Sequence, residues 1–337
     1  MHTFIITSHK LRSGTSCAKQ RVGNDIHKTP APCNKGVRVF CCPAHSLWDY
    51  AGTYTNNIYR MKKIAIQGIR GSFHDIAAHL YFEGEDVELL CCNTFEELFH
   101  AMRAENSLLG LAAIENTIAG SLLHNYELLR ESGMTIIGEQ KLHIEHSLLC
   151  LPDDDWDTLT EVNSHPVALM QCRHFLEGHR SLKVVETEDT AGAAADIAHR
   201  ALRGHAAICH AGAATLYGLR ILQEAIEDNK HNFTRFLVLS DPWNADNLRD
   251  TRLSDKASIV FSLPHNSGSL SQVLSIFSFY QINLTKIQSL PIIGHEWEYL
   301  FYVDVTYDDY VRYRQSIDAV RPLTRELRIL GEYKQAE

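Results

Sequence analysis

The sequence predicts an α/β protein of two or three lobes that ends in a ferredoxin-like βαββαβ module. Three observations predict it. From Met61 onward, short apolar strands alternate with amphipathic helices. An acidic turn at Pro152–Asp157 separates one such set from a second. After a polar stretch at 241–255, the order changes to strand, helix, strand, strand, helix, strand.

Each element has its own signal. "KIAIQGI" (63–69) is a short apolar strand, and "GSFHDIAAHLYF" (71–82) has helical spacing. "VELLCC" (87–92) is a strand, followed by a helix that opens on a capping box, Thr94 with Glu97. "LLGLAAIEN" (108–116) is a buried strand leading to the helix "AGSLLHNYELLRES" (119–132). Residues 134–151 read as one long strand. In the second set, 164–178 is helical, 182–187 a strand, 189–204 a helix, 206–209 a strand and 211–218 a helix. "FTRFLVLS" (233–240) closes the region as a strand. The final module reads as strands at 257–263, 283–290, 297–306 and 327–333, with helices at 269–280 and 310–320. The organisation is therefore an N-terminal extension (1–60), a catalytic region (61–240, second lobe about 140–220), a linker (241–255) and the C-terminal module (256–337).

The net charge of −9 hides an asymmetry. Residues 1–60 hold eight Lys/Arg against two Asp/Glu, so the rest holds 24 against 39. An acidic body disfavours nucleic acid, and no apolar run approaches the roughly 20 residues of a membrane span. The basic segment suits a targeting peptide, but without amphipathic periodicity the preferred reading is a natural start at Met61 behind an extension with no fold of its own. Body cysteines 91, 92, 150, 172 and 209 form no CxxC pair, which disfavours zinc or a disulfide framework and fits a reducing, cytoplasmic setting. His143 and His146 lie three apart and on a strand would face opposite ways, so no metal is expected. Cys172 reads as core rather than nucleophile, and GxSxG is missing.

Chemistry is signalled at the strand-to-helix junctions. Gly68, Gly71 and Ser72 open one helix, Glu115, Asn116 and Thr117 follow a buried strand, and Ser164–Pro166 and Asp189-Thr190 open two more helices. In open α/β sheets such junctions line the ligand crevice, where free N–H groups favour anions. Each alone is an ordinary cap. Arg235, at the mouth of another strand with no acidic sequence neighbour, adds a cation and points to a small dianionic or carboxylated ligand. "GIRGSF" is neither GxGxxG nor a Walker loop, so no nucleotide cofactor is expected.

Taken together, "QGIRGSFHDIAA", "AAIENTIAGS", "SHPVALMQC", "DTAGAA", "AAICHAGAATLYGL" and "NFTRF" resemble, in order, the motifs of the prephenate dehydratase family. Thr117 and Val167 depart from the family's serine and glutamine. The resemblance implies two lobes of periplasmic-binding-protein-like architecture around a cleft. It implies cofactor-free conversion of prephenate to phenylpyruvate in phenylalanine biosynthesis. Carried over by resemblance, Thr234 is the catalytic threonine, while Asn116, Ser164 and Gln171 contact substrate; Thr190 and Ser72 join them as junction residues. Arg235 is expected to hold the side-chain carboxylate, and Glu115 to orient Asn116 or itself to act as the acid.

The C-terminal module resembles an ACT domain, which in this family senses phenylalanine. "NSGSLSQVL" is similar to its effector loop, placing Asn266, Gly268, Ser269 and Leu270 at the effector. "QSLP" (288–291) stands where the family has Glu-Ser-Arg-Pro, so that motif's arginine is absent. Pairing of such modules implies a homodimer or homotetramer. Two rival readings are arogenate as substrate and, in a different class, a solute-binding protein without chemistry.

Overall fold

A computed structural model describes residues 61–248, 253–295 and 297–336. The expectations for residues 1–60, and for part of the linker, lie outside the described residues. The elements in chain order are β1 (Lys62–Gln67), α1 (Phe73–Tyr81), β2 (Val87–Cys92), α2 (Phe95–Ala104), β3 (Leu109–Asn116), β4 (Gly120–Ser121), α3 (Leu123–Ser132) and β5 (Thr135–His143). There follow β6 (Ser147–Cys150), β7 (Glu161–Ser164), α4 (Pro166–Gln171), α5 (Arg173–Gly178), β8 (Lys183–Glu186), α6 (Thr190–Arg200), β9 (His205–Cys209), α7 (Gly212–Tyr217) and β10 (Arg220–Gln223). The chain ends in β11 (Phe233–Ser240), α8 (Pro242–Leu248), β12 (Lys256–Ser262), α9 (Ser269–Phe279), β13 (Asn283–Pro291), β14 (Tyr299–Thr306), α10 (Tyr310–Val320) and β15 (Arg325–Tyr333).

Two sheets organise these elements. A large one runs β13-β14-β12-β15-β5-β11-β3-β1-β2, with β4 paired to β3; a small one runs β10-β6-β9-β7-β8. The large sheet is covered on both faces, which is why the middles of β1, β3 and β11 are apolar. Ile64, Ile66, Leu111, Phe236 and Val238 pack on one face. Leu98, Phe99, Ile114, Leu237 and Leu239 pack on the other, together with Leu290, Tyr302 and Tyr333 from the C-terminal module. Each of these large side chains, fully buried, contributes roughly 1.5–3 kcal/mol. The rigid base of β11 is therefore apolar on both sides.

The chain crosses between the sheets twice. The sequence reading of one strand over 134–151 is corrected here: β5 belongs to the large sheet and β6 to the small one, with a break at 144–146. The return crossing runs antiparallel to it, and the Ile144 N–H donates to the Asn232 carbonyl at 2.7 Å. The small lobe accordingly spans Ser147–Gln223. The helix expected over 164–178 is two short ones, and the expected linker contains α8, whose proline sits at its first position.

The C-terminal module has the expected βαββαβ order, with strands arranged β13-β14-β12-β15. It is not a separate bead. Strand β15 bridges β5 at Gly331 and Ile136, and a Cβ on Gly331 would stand 2.2 Å from the Ile136 carbonyl oxygen. Only glycine permits that approach. Among the described residues no helix is long and apolar enough to cross a membrane.

Candidate active site

The cleft between the lobes, about 290 Å³, is walled on the large-sheet side by Ser72, His74, Asn116, Thr234 and Phe236. The small lobe contributes His165, Gln171, Glu188, Asp189 and Thr190. His146, on the first crossing segment, also lines it. Five predicted substrate or catalytic residues are thus brought together: Ser72, Asn116, Gln171, Thr190 and Thr234. They converge because strand ends and helix starts of both sheets meet at this crevice. Ser72 caps α1, its hydroxyl accepting from the Asp75 N–H. Asp189 caps α6 by accepting from the Gly192 N–H at 2.6 Å, which sets Thr190 at the helix start.

A bulge decides which residues reach the cleft. On β11, Thr234 pairs with Asn116 and Arg235 with Glu115, but Phe236 pairs with Ala113, so β3 carries one extra residue at Ile114. Strict alternation from Ala113, a cleft residue, would bring Glu115 into the cleft and turn Asn116 away. The extra residue reverses this. Asn116 joins Thr234 in the cleft, and Glu115 joins Arg235 on the opposite face.

Arg235 is therefore not a substrate anchor. It is buried, with Nη1 3.0 Å from Glu139, Nη2 2.5 Å from Asp304 of β14, and Nε 2.6 Å from Glu115 in an ion-pair contact without hydrogen-bond alignment. Burial alone would lower its pKa, but the charges of Asp304 and Glu115 outweigh it and hold the guanidinium above its ordinary value. Lys256 pairs with Glu139 at 2.8 Å, and Lys286 of β13 pairs with Glu115. Three cations and three carboxylates close this network, so Glu115 as the acid is corrected as well: its carboxylate is held by two cations outside the cleft. Ser164 is the third correction. It is fully buried and its hydroxyl donates to the Ile208 carbonyl at 2.5 Å, extending the β7–β9 ladder beyond its last pair instead of facing the cleft.

The hydrogen bonds that fix Thr234 start from the backbone. Asn116 Oδ1 accepts from the N–H groups of Ile118 (2.9 Å) and Ala119 (2.8 Å), which assigns its amide orientation. Its NH₂ then donates to Thr234 Oγ1 at 2.9 Å and to Asn232 Oδ1 at 2.8 Å. Thr234 Oγ1 is the acceptor in this contact, which leaves its own proton to be donated to another group. Asn232 donates in turn to Gln171 Oε1 at 3.1 Å.

Several cleft residues escaped the sequence reading. His74 accepts from the Ala113 N–H through Nε2 at 3.3 Å, and burial lowers its pKa to about 3. Asn232 is fully buried and is tied to the cleft through Asn116 and Gln171; its signal in the sequence is its place at the head of "NFTRF". His146 lies in the stretch 134–151 that reads as strand, away from any strand-to-helix junction. Burial pushes the Asp189 carboxyl up, against the N–H groups of Gly192 and Ala191. Cys172 is core, as expected, and burial pushes its thiol up. The expected effector residues Asn266, Gly268, Ser269 and Leu270 surround the start of α9. There the Ser269 N–H donates to the Asn266 carbonyl at 3.3 Å, and Gly268 has φ +83°, a conformation that favours glycine.

A two-lobed α/β scaffold whose largely apolar cleft carries a few convergent polar side chains at the strand ends defines a small-molecule enzyme or binder. The sequence model of the prephenate dehydratase family matches residues 64–243. Arogenate dehydratase/prephenate dehydratase 6 of Arabidopsis thaliana is 35% identical over 288 residues, covering 80% of this chain and 68% of that one. The structure of prephenate dehydratase from Arthrobacter aurescens in complex with L-Phe is 26% identical with a TM-score of 0.72, covering 81% of this chain and 89% of that one. A structure described as a novel type of quorum-quenching acylase is 28% identical with a TM-score of 0.71, covering 81% and 98%. The chain belongs to the prephenate dehydratase family.

Proposed function

We propose that the protein catalyses the decarboxylating dehydration of prephenate to phenylpyruvate, on the route to phenylalanine. One observation carries the reading: the Thr234 hydroxyl lines the cleft and accepts a hydrogen bond from Asn116. The neighbouring scaffold described as an acylase means that fold alone does not settle chemistry, so the reading rests on these groups and on family membership.

Prephenate carries two carboxylates and a ring hydroxyl. The bond to the ring carboxylate breaks, its electron pair closes the aromatic ring, and the hydroxyl departs as water after receiving a proton. Aromatisation supplies much of the driving force, so the protein must hold the ring and assist the leaving oxygen. Thr234 supplies a hydrogen bond to that oxygen, and Asn116, Gln171, Thr190 and Ser72 supply neutral contacts. Arogenate, the amino counterpart, is a second reading favoured by charge. Glu188 and Asp189 line the cleft, whereas Lys141 and Arg235 line the adjoining recess beside Asn116 and Thr234, and the two carboxylates suit a substrate bearing an ammonium group.

L-Phenylalanine is the proposed effector, at the start of α9; the Arthrobacter aurescens protein was solved with L-Phe. A homodimer or homotetramer in the cytoplasm completes the proposal. Assay of purified protein on prephenate and arogenate tests it. Turnover of at least one is expected, reduced at least a hundredfold in Thr234→Ala. Turnover of neither, or a Thr234→Ala variant as active as wild type, overturns it.

A further inference from the structure

The Thr234 hydroxyl is a very weak acid, so the reaction leaves open which group delivers the proton that turns the departing hydroxyl into water. His146 is 2% exposed, lines the cleft and stands on the first crossing segment between the lobes. Its tautomer follows from the backbone outward. The Ile118 and Ala119 N–H groups fix Asn116, Asn116 fixes Asn232 as the donor to Gln171 Oε1, and that oxygen can then only accept. His146 Nε2, 2.9 Å from Gln171 Oε1, must carry a hydrogen. In the neutral ring Nδ1 is consequently bare. It is also buried with no hydrogen-bond partner in the protein. An orphaned buried acceptor costs on the order of 1–3 kcal/mol, and native structures seldom carry one without a use.

We propose that His146 Nδ1 is the proton port of the reaction: protonated there, the imidazolium donates to the leaving ring hydroxyl while Thr234 hydrogen-bonds the same oxygen. This rests on the dehydratase reading above. The balance is closed. The carbon–oxygen bond breaks with the proton from Nδ1 to give water, the carboxylate carbon leaves as carbon dioxide, the bonding pair completes the ring, and neutral His146 regains a proton from solvent. No oxidant or cofactor enters.

The surroundings fit a group that is neutral at rest and charged when an anion arrives. Burial lowers the imidazole's pKa, against the Gln171 bond and the charge of Glu227, while His210 lowers it further. Glu227 accepts from the His146 backbone N–H at 2.8 Å and is itself paired with Lys230, so it adds little charge on the ring's behalf. Phe73 packs edge-on, 5.5 Å between ring centroids, and excludes water from that side. A bound substrate carboxylate would shift the ring towards the charged form. Other cleft imidazoles are less suited. His74 Nε2 faces a backbone N–H, and His165 Nδ1 accepts from the Val167 N–H at 3.2 Å, so both acceptors are occupied.

The test combines kinetics and nitrogen NMR on the full chain. His146→Asn keeps a donor for Gln171 and removes the titrating nitrogen; kcat is expected to fall roughly 10²–10³-fold with KM within threefold. Wild-type kcat should fall above the pKa of the complex, and the variant should lose that basic limb. In wild-type protein without ligand, ¹⁵N shifts should show Nε2 protonated and Nδ1 bare, a readout that survives if the variant does not fold. The opposite tautomer, kcat within threefold of wild type in His146→Asn, or a retained basic limb overturns this inference alone. Wild-type protein inactive on both substrates overturns the dehydratase reading instead.

Discussion

Replacing Arg235 by methionine should unfold the protein more readily rather than weaken substrate binding. The side chain touches three buried carboxylates, and they do not suffer equally when it goes. Glu139 retains Lys256 at 2.8 Å and Glu115 retains Lys286. Asp304, 4% exposed, retains among the described residues only the Ser258 hydroxyl, at 2.6 Å, as a side-chain hydrogen-bond partner. One uncompensated buried charge corresponds to about 3–5 kcal/mol. Arg235→Met should lose about that much in urea unfolding at pH 7. The double variant Arg235→Met/Asp304→Asn should recover more than half, because no orphaned charge remains. Kinetics at 25 °C on the folded fraction should show KM within a few-fold of wild type. A stability loss below about 1 kcal/mol with KM raised a hundredfold would refute the reasoning and return Arg235 to the substrate.

Three further outcomes are expected. The native His74 imidazole stays neutral to about pH 3 whereas an unfolded one charges near 6.5, so stability is full above pH 6.5 and falls as pH drops, by up to about 1.4 kcal/mol per unit. His74→Gln should flatten the decline between pH 6 and 4 in urea titrations, and an unchanged slope would count against the burial argument. Asp189→Asn keeps the cap of α6, since Asn caps as well as Asp, and removes one charge; kcat/KM on arogenate should fall about tenfold with prephenate spared. Equal losses on both would deny Asp189 a role in recognising an ammonium. Gly268→Ala strains the left-handed turn before α9 by about 1–2 kcal/mol and should weaken calorimetric binding of phenylalanine; unchanged affinity would move the effector elsewhere.

The sequence made the junctions legible because their chemistry is local: caps such as Ser72 and Asp189 announce helix starts, and helix starts at strand ends line a crevice. It did not disclose which face of a strand each side chain took. Nothing in "AAIENT" marks Ile114 as the bulged residue, yet that one insertion exchanges Glu115 and Asn116 between faces. The partners of Arg235 lie up to 120 residues away in sequence, on β3, β5 and β14, so a lone cation in the sequence is a crowded one in space. The break between β5 and β6, at 144–146, carries no Gly or Pro to mark it in the sequence. His146 had no signal of its own, because its bare nitrogen is defined by Gln171, 25 residues on.

The bridge from β15 to β5 has a consequence for any attempt to work with the front half of the chain alone. Ending the polypeptide before β12 would leave β5 as a raw sheet edge and uncover Met134, Ile136 and Tyr126, which now pack against Leu290, Tyr302 and Tyr333. Glu139 would lose Lys256, and Glu115 would lose Lys286. Such a fragment presents unpaired backbone, apolar surface and unmatched carboxylates together, the conditions for edge-to-edge aggregation. The C-terminal module is thus also a structural wall of the large sheet.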